Sequence, residues 1–394
     1  MGSPPMVTAP RTRIAFSVAC AAALALGSLA LPASPARAAD TITAADQPYF
    51  AYYHLDQARA KGYTGKGVTI AIIDGPVDTS RPELAGASIS DRSPCPVNPS
   101  NDSRRHGTEI ASLLVARDYG VAPDATLNSY QTLSGGSTAD PSCKDPAIHK
   151  HASLINHAIN DGAQVVSISL SSEDHDASLK WAMARAMSSG TIIVAGMGNT
   201  PIANDSASLS AWSGVVGVSA VDITGARADY SSWGNTVTTA AVGGPIKAYD
   251  HGTSQIIETR GTSISTPIVA GFLALTRQKW PDATANQLLQ LLVHTTVNPD
   301  GGWNQYTGYG VASPASMLNT DPSQYPDENP LADKGGGSSP TPEEVRRYAD
   351  GIVDPTEIVH DNSYTYRGLD ESTLTSKNNP YPTHIGTSPR YHAK

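Results

Sequence analysis

Apolar residues along this chain gather into short unbroken runs separated by amphipathic stretches. Val68-Thr69-Ile70-Ala71-Ile72-Ile73, Gln164-Val165-Val166-Ser167-Ile168-Ser169-Leu170 and Thr191-Ile192-Ile193-Val194-Ala195 read as strands buried on both faces of a parallel sheet. Thr126–Tyr130, Val215–Ala220 and Val237–Ala241 add shorter strands. After His106, the residues Ile110, Leu113 and Leu114 recur at three- and four-residue steps, so a helix opens at that histidine. His149–Asp161, Leu179–Ser189 and Pro267–Gln278 also read as helices, the last with a proline that the first turn tolerates. Alternating strands and helices predict an α/β fold of three layers, a mostly parallel β-sheet flanked by helices on both faces.

The two ends of the chain depart from this pattern. Arg11 and Arg13 precede an apolar stretch, Ile14 to Leu31, that ends in Ala36-Arg37-Ala38, the charge, core and small-x-small order of an export signal. Residues 1–38 are therefore expected to be a cleaved leader, with the mature chain starting near Ala39. A membrane anchor is the competing reading, and Gly27, Ser28, Pro32 and Pro35 weaken it. A domain is expected over 39–320. Beyond it, Asp333-Lys334-Gly335-Gly336-Gly337-Ser338-Ser339-Pro340 has linker composition, and only Pro342–Ile352 suggests a helix. Residues 321–394 are thus expected to be a tail that is largely disordered or only loosely docked.

The formal net charge of −9 argues against nucleic acid and against an anionic membrane surface as partners. Loss of the leader removes Cys20 and leaves Cys95 and Cys143, a natural disulfide pair in an oxidising compartment. The chain is expected to be secreted and monomeric, without stable membrane insertion.

Three blocks carry candidate chemistry: Ala71-Ile72-Ile73-Asp74-Gly75-Pro76-Val77-Asp78, His106-Gly107-Thr108-Glu109, and Gly261-Thr262-Ser263-Ile264-Ser265-Thr266-Pro267. A serine becomes a nucleophile when a histidine takes its proton and a buried carboxylate holds that histidine in the right tautomer. The first run delivers Asp74 to the carboxyl end of a buried strand, where open α/β sheets place their sites. Ser263 begins a helix, whose N-terminal positive end favours a developing anion.

In the order Asp, His, Ser, each within its own signature, the chain resembles the subtilisin-like serine proteases, or subtilases. The resemblance runs from Tyr49 to Leu318 and includes Gly120-Val121-Ala122-Pro123, Tyr230-Ser231-Ser232-Trp233-Gly234 and Thr307-Gly308-Tyr309-Gly310-Val311. It implies a catalytic triad of Asp74, His106 and Ser263, with Asn199 as the second oxyanion donor. It also implies that Ser169, Leu170 and Ser171 pair with a polypeptide substrate as an added strand, while Ala195, Gly196 and Met197 line the first specificity pocket. Met197 stands where a small residue is usual, and the pocket is expected to be narrowed.

Two departures from the family pattern stand out. Gly75-Pro76 replaces the usual hydroxyl residue and glycine after the aspartate, which removes a hydroxyl and a backbone donor. That form is similar to the cyanobactin-type peptide-maturation proteases, whereas the leader and the cysteine before the histidine resemble the mycosins. The loop Arg117-Asp118-Tyr119-Gly120 is shorter than in relatives that wrap a calcium ion there. With one carboxylate it falls short of the 6–8 oxygens calcium prefers, so no strong calcium site, and no cofactor, is expected. His149, His151 and His157 lack zinc spacing and read as surface histidines on one helix. An endopeptidase acting through an acyl-enzyme is the leading expectation. An inactive subtilase-fold scaffold is the alternative, motivated by Gly75-Pro76.

Overall fold

The computed structural model describes residues 41–170, 177–204, 208–299, 301–335, 338–368 and 384–385. The expected leader lies outside them. Strands β1 (Thr69–Asp74), β2 (Ser88–Asp91), β3 (Thr126–Gln131), β4 (Val165–Ile168), β5 (Ile192–Gly196), β6 (Val215–Val221) and β7 (Thr239–Val242) form one sheet in the order β2-β3-β1-β4-β5-β6-β7. Every pairing in it is parallel, with Thr69 opposite Thr126 and Ile70 opposite Val165 fixing the register at its centre.

The unbroken apolar runs divide between two cores by the period of two that a strand imposes. Ile70 and Ile72 of β1, with Ile192 and Val194 of β5, face one core. Ala71, Ile73, Ile193 and Ala195 face the other. The first face is covered by α1 (Asn101–Val115), α4 (Thr262–Lys279) and α5 (Ala285–His294), and the second by α2 (His151–Asn160) and α3 (Ala177–Ser189). Burying each of these isoleucines contributes about 1.5–3 kcal/mol, so the three layers follow from the runs themselves.

Strand order determines where a site can form. From β1 the chain moves to one side of the sheet, through β2 and β3, and from β4 onward it builds the other side. A crevice therefore opens beyond the carboxyl ends of β1 and β4, where the connections diverge. Asp74 ends β1, and Ser169 follows β4.

Three local expectations change. Helix α1 starts five residues before His106, capped by the Ser100 hydroxyl, which accepts the Ser103 N–H at 3.0 Å. The polar run Asn101–Arg105 carries no apolar period, so only the cap marks that start. The antiparallel pair Ile246–Asp250 and Gln255–Thr259, together with edge strand β2, was not legible as strand. The histidines are not on the surface: His149 and His151 are buried, and burial, with the His360 ring 5.0 Å away, pushes His157 down to about 4.

The largest correction concerns the tail. Residues 338–368 fold back onto α3, where Tyr348, Val353, Ile358, Tyr364 and Tyr366 bury against Trp181 and Ala184. Helix α6 (Pro342–Ala349) opens with a capping box between Thr341 and Glu344. Polar groups on both sides are paired: Arg185 with Asp361 at 3.2 Å, Trp181 Nε1 donating to Glu357 at 2.7 Å, and Asn156 and Asn160 donating to the carbonyls of Val359 and His360. The scattered tyrosines that read as polar tail are a third small core. The disulfide joins Cys95 to Cys143 with Cα atoms 6.0 Å apart, next to the two-residue antiparallel pairing of Val97–Asn98 with Thr138–Ala139.

Candidate active site

Asp74 is 1 % exposed at the end of β1. Its Oδ1 lies 2.7 Å from His106 Nδ1 and also accepts the Gly75 N–H at 2.7 Å. Two glycines make this approach possible. A Cβ on Gly107 would lie 2.1 Å from the Gly75 carbonyl oxygen, and one on Gly75 would lie 2.0 Å from the Ser103 carbonyl oxygen. Helix α1 thus rests directly on the backbone that follows β1, and the imidazole reaches the carboxylate. The other carboxylate oxygen, Oδ2, is buried without a partner among the described residues. Gly75 brings no hydroxyl and Pro76 no N–H, so the departure noted in the sequence corresponds to one orphaned acceptor.

Burial pulls the His106 imidazole down, but the charge and hydrogen bond of Asp74, with Glu109 behind them, outweigh it and leave the pKa raised above its ordinary value. Glu109 is itself buried, pairs with Arg105 at 3.1 Å and accepts the Thr259 hydroxyl at 2.8 Å. Desolvation holds its carboxyl above the usual range.

The second half of the site forms where α4 begins. Thr262 is the first residue of that helix and Ser263 the second. Asn199 Oδ1 accepts both the Thr262 N–H at 2.8 Å and the Thr262 hydroxyl at 3.0 Å, while the Gly198 N–H donates to the same hydroxyl at 3.1 Å. With its oxygen engaged, the exposed Asn199 has its amide NH₂ left to donate. A Cβ on Gly261 would lie 2.9 Å from Ser263 Oγ and 3.0 Å from Asn199 Nδ2. The hydroxyl and the amide therefore flank a single point, and only glycine leaves it open. No hydrogen bond joins Ser263 Oγ to His106 among the described residues, an open arrangement common in unliganded sites.

The pocket residues divide. Ser169 is buried, its hydroxyl without a partner among the described residues, and Leu170 is half-buried. Ser171 lies outside the described residues. Ala195 and Met197 are 1 % and 0 % exposed, so neither side chain lines an open pocket, whereas Gly196 between them reaches the surface. The Met197 side chain, just past the strand end, turns inward, where its sulfur lies 4.0 Å from Thr236 Oγ1. Sequence reasoning missed Thr262, Gly107 and Glu109, although each sits inside a quoted block.

The short loop that would hold calcium has its oxygens engaged. Arg59 donates to the carbonyls of Arg117 at 3.1 Å, Asp118 at 2.6 Å and Gly120 at 2.5 Å, and the Asp118 carboxylate accepts the Ala44 N–H at 2.6 Å. Arg59 already engages three carbonyls of this loop, and the remaining donor set does not fit calcium. Cys95, Cys143 and His149 approach one another within 4.8 Å, but the sulfurs are bonded to each other and are not thiolate ligands.

Against known proteins, residues 65–310 match the model of the subtilase family. The chain belongs to the subtilase family. It is 30% identical over 253 residues to the thermostable alkaline protease of Halalkalibacterium halodurans, covering 62% of this chain and 66% of that one. It is also 30% identical over 262 residues to subtilisin E of Bacillus subtilis, covering 62% and 65%. The chain thus spans about two thirds of the length of these curated relatives. Among solved structures, MycP1 from Mycobacterium smegmatis is similar with a TM-score of 0.60 at 26% identity, over 76% of this chain and 91% of that one. The protease domain of PatA has a TM-score of 0.55 at 24% identity, over 64% and 94%, and shares the fold.

Proposed function

We propose that the protein is a serine endopeptidase that hydrolyses polypeptides through an acyl-enzyme on Ser263. The observation that carries this reading is the 2.7 Å contact of His106 with the buried Asp74, and a helix-start serine whose hydroxyl lies beside the same point as the Asn199 amide supports it. In this mechanism His106 takes the Ser263 proton as the oxygen attacks the scissile carbonyl. Asp74 holds Nδ1–H and stabilises the imidazolium, and the same proton then goes to the leaving amine. The Ser263 N–H and Asn199 Nδ2 receive the oxyanion at the N-terminus of α4. Water attacks the acyl-enzyme with His106 again as base. Substrate adds as a strand along Ser169–Ser171, with its first side chain beside Gly196.

The subtilase relatives and the Cys95–Cys143 bond support export of the chain, with a leader over 1–38, and a processing role outside the cell. Among the described residues no helix is long and apolar enough to cross a membrane. We assign no calcium to the 117–120 loop and read the protein as a monomer. A fluorophosphonate probe should label the native chain and fail on Ser263→Ala. A folded native protein that takes no label would overturn the reading and favour a peptide-binding scaffold, for which the orphaned Asp74 Oδ2 is the one supporting observation.

A further inference from the structure

Lys334 lies beyond the residues that match the family model, yet it reaches behind the candidate site. Its ammonium donates to the carbonyl of Ser210 at 2.6 Å and to that of Thr236 at 3.0 Å. Both carbonyls belong to buried residues, Ser210 in the 3-10 helix Leu209–Ala211 and Thr236 in the turn before β7. They meet beside Gly217 of β6, where a Cβ would lie 2.7 Å from the Thr236 oxygen, 3.1 Å from the Ser210 oxygen and 3.2 Å from the Met197 sulfur. The backbone of Met197 is fixed in turn, its N–H donating to Val218 O at 2.9 Å and its carbonyl accepting from Asn204 at 2.7 Å. Two residues further along is Asn199.

The segment that presents the lysine is anchored on both sides. The Gly214 N–H donates to Leu331 O at 2.7 Å, and the Ser213 N–H donates to Ser339 O at 3.1 Å. No carboxylate pairs with the ammonium among the described residues, and burial alone pushes it down to about 7. Two converging carbonyl dipoles repel each other and cost free energy when buried without donors. Lysine supplies two N–H groups to them whether charged or neutral.

We infer that Lys334 is a positioning residue of the active site: by clamping the Ser210 and Thr236 carbonyls behind Met197, it holds the Gly196–Asn199 segment in place and makes the C-terminal segment a working part of the peptidase. The inference rests on Gly196 and Asn199 acting as the Proposed function assigns them. A cavity of about 280 Å³ is lined by Lys334 and Thr236 together with Trp303, Tyr309 and Leu331, and truncating the lysine side chain should join its space to that cavity, the route by which a small amine would enter.

The test uses the full chain with Lys334→Ala and Lys334→Met, followed by amide hydrogen exchange and by turnover of a peptide ester. Exchange at Met197, Gly198 and Gly217 should rise about tenfold in both variants, with α1 unchanged. The kcat should fall with little change in KM, and n-propylammonium should restore kcat in the alanine variant but not in the methionine one, whose side chain fills the space without donating. If the alanine variant does not fold, the methionine variant, similar in length, carries the exchange comparison. Unchanged exchange at those amides in a folded variant, or lost turnover that no amine restores, overturns the inference. A native chain without turnover would defeat the peptidase reading, while the exchange measurement would still decide the role of Lys334.

Discussion

The chemistry of the site depends on which oxygen and which nitrogen are already engaged. Asp74 spends one oxygen on His106 and on the Gly75 N–H, and the resulting field raises the imidazole pKa. A general base must be neutral, so activity is lost as the pH falls through that raised pKa. The acid limb of kcat/KM should therefore lie above the ordinary histidine value of about 6.5, and Asp74→Asn should move it downward while lowering kcat by about 10⁴. A profile with its acid limb at or below the ordinary value would remove Asp74 from that role. Asn199 is held by its oxygen to Thr262, so its NH₂ is aimed before substrate arrives. Asn199→Ala should lower kcat by about 10²–10³ with KM nearly unchanged, measured on a peptide amide. Asp74, His106 and Ser263 could be singled out in the sequence because each sits in a short block and the blocks follow one order, and Asn199 because the resemblance points to it; the structure adds the Asp74–His106 contact and the placement of Ser263 Oγ beside the Asn199 amide. The pocket residues were legible only in part. A family position does not say which face of a strand a side chain takes, and Met197 points inward.

Elements were readable where burial is two-sided. Strands β1, β4 and β5 carry nearly unbroken apolar runs because both faces are covered, and these runs cannot be mistaken for surface structure. Strand β2 and the hairpin after β7 face solvent for much of their length, so their sequences carry no comparable signal. The C-terminal segment failed as a prediction for a different reason. Its apolar residues are too few and too widely spaced to show a period, and they make a core only when Trp181 of α3 is brought to them. At the centre of that contact the Arg185–Asp361 pair has side chains 4 % and 1 % exposed. Removing one partner leaves the other charged and buried, so Arg185→Met should cost about 3–5 kcal/mol in urea unfolding. A loss under about 1 kcal/mol would show that the segment is not cooperative with the domain.

At the scale of the whole molecule, cationic side chains belonging to the chain fill places where loops turn their carbonyls inward. Arg59, from a short helix ahead of the sheet, engages three carbonyls of the 117–120 loop. Lys334, from the other end of the chain, engages two more. Chelation should therefore leave this protein unmoved: the melting temperature in excess EGTA should equal that in millimolar calcium. A drop of several degrees would place a bound ion elsewhere in the fold. The three-layer architecture with its parallel sheet follows from alternating runs and helices, and was legible; the strand order was not read from the sequence. These two attachments were not, because a lysine in a Gly/Ser-rich stretch and an arginine in a short helix look like solvated charge until the carbonyls that receive them are seen.

The close seating of α1 on the backbone after β1 bears on how loss of function would look in related genes. At positions 75 and 107 the fold admits hydrogen alone, since any larger substituent meets a carbonyl oxygen at about 2 Å. A single methyl group at Gly107 should push the imidazole off its carboxylate, and the Gly107→Ala protein should fold yet turn over substrate far more slowly than the native chain. Such a descendant would keep every letter by which a nucleophile, a base and an acid are recognised, and would still be a pseudoenzyme. Counting intact triads among sequences of this kind therefore overstates how many of them cut.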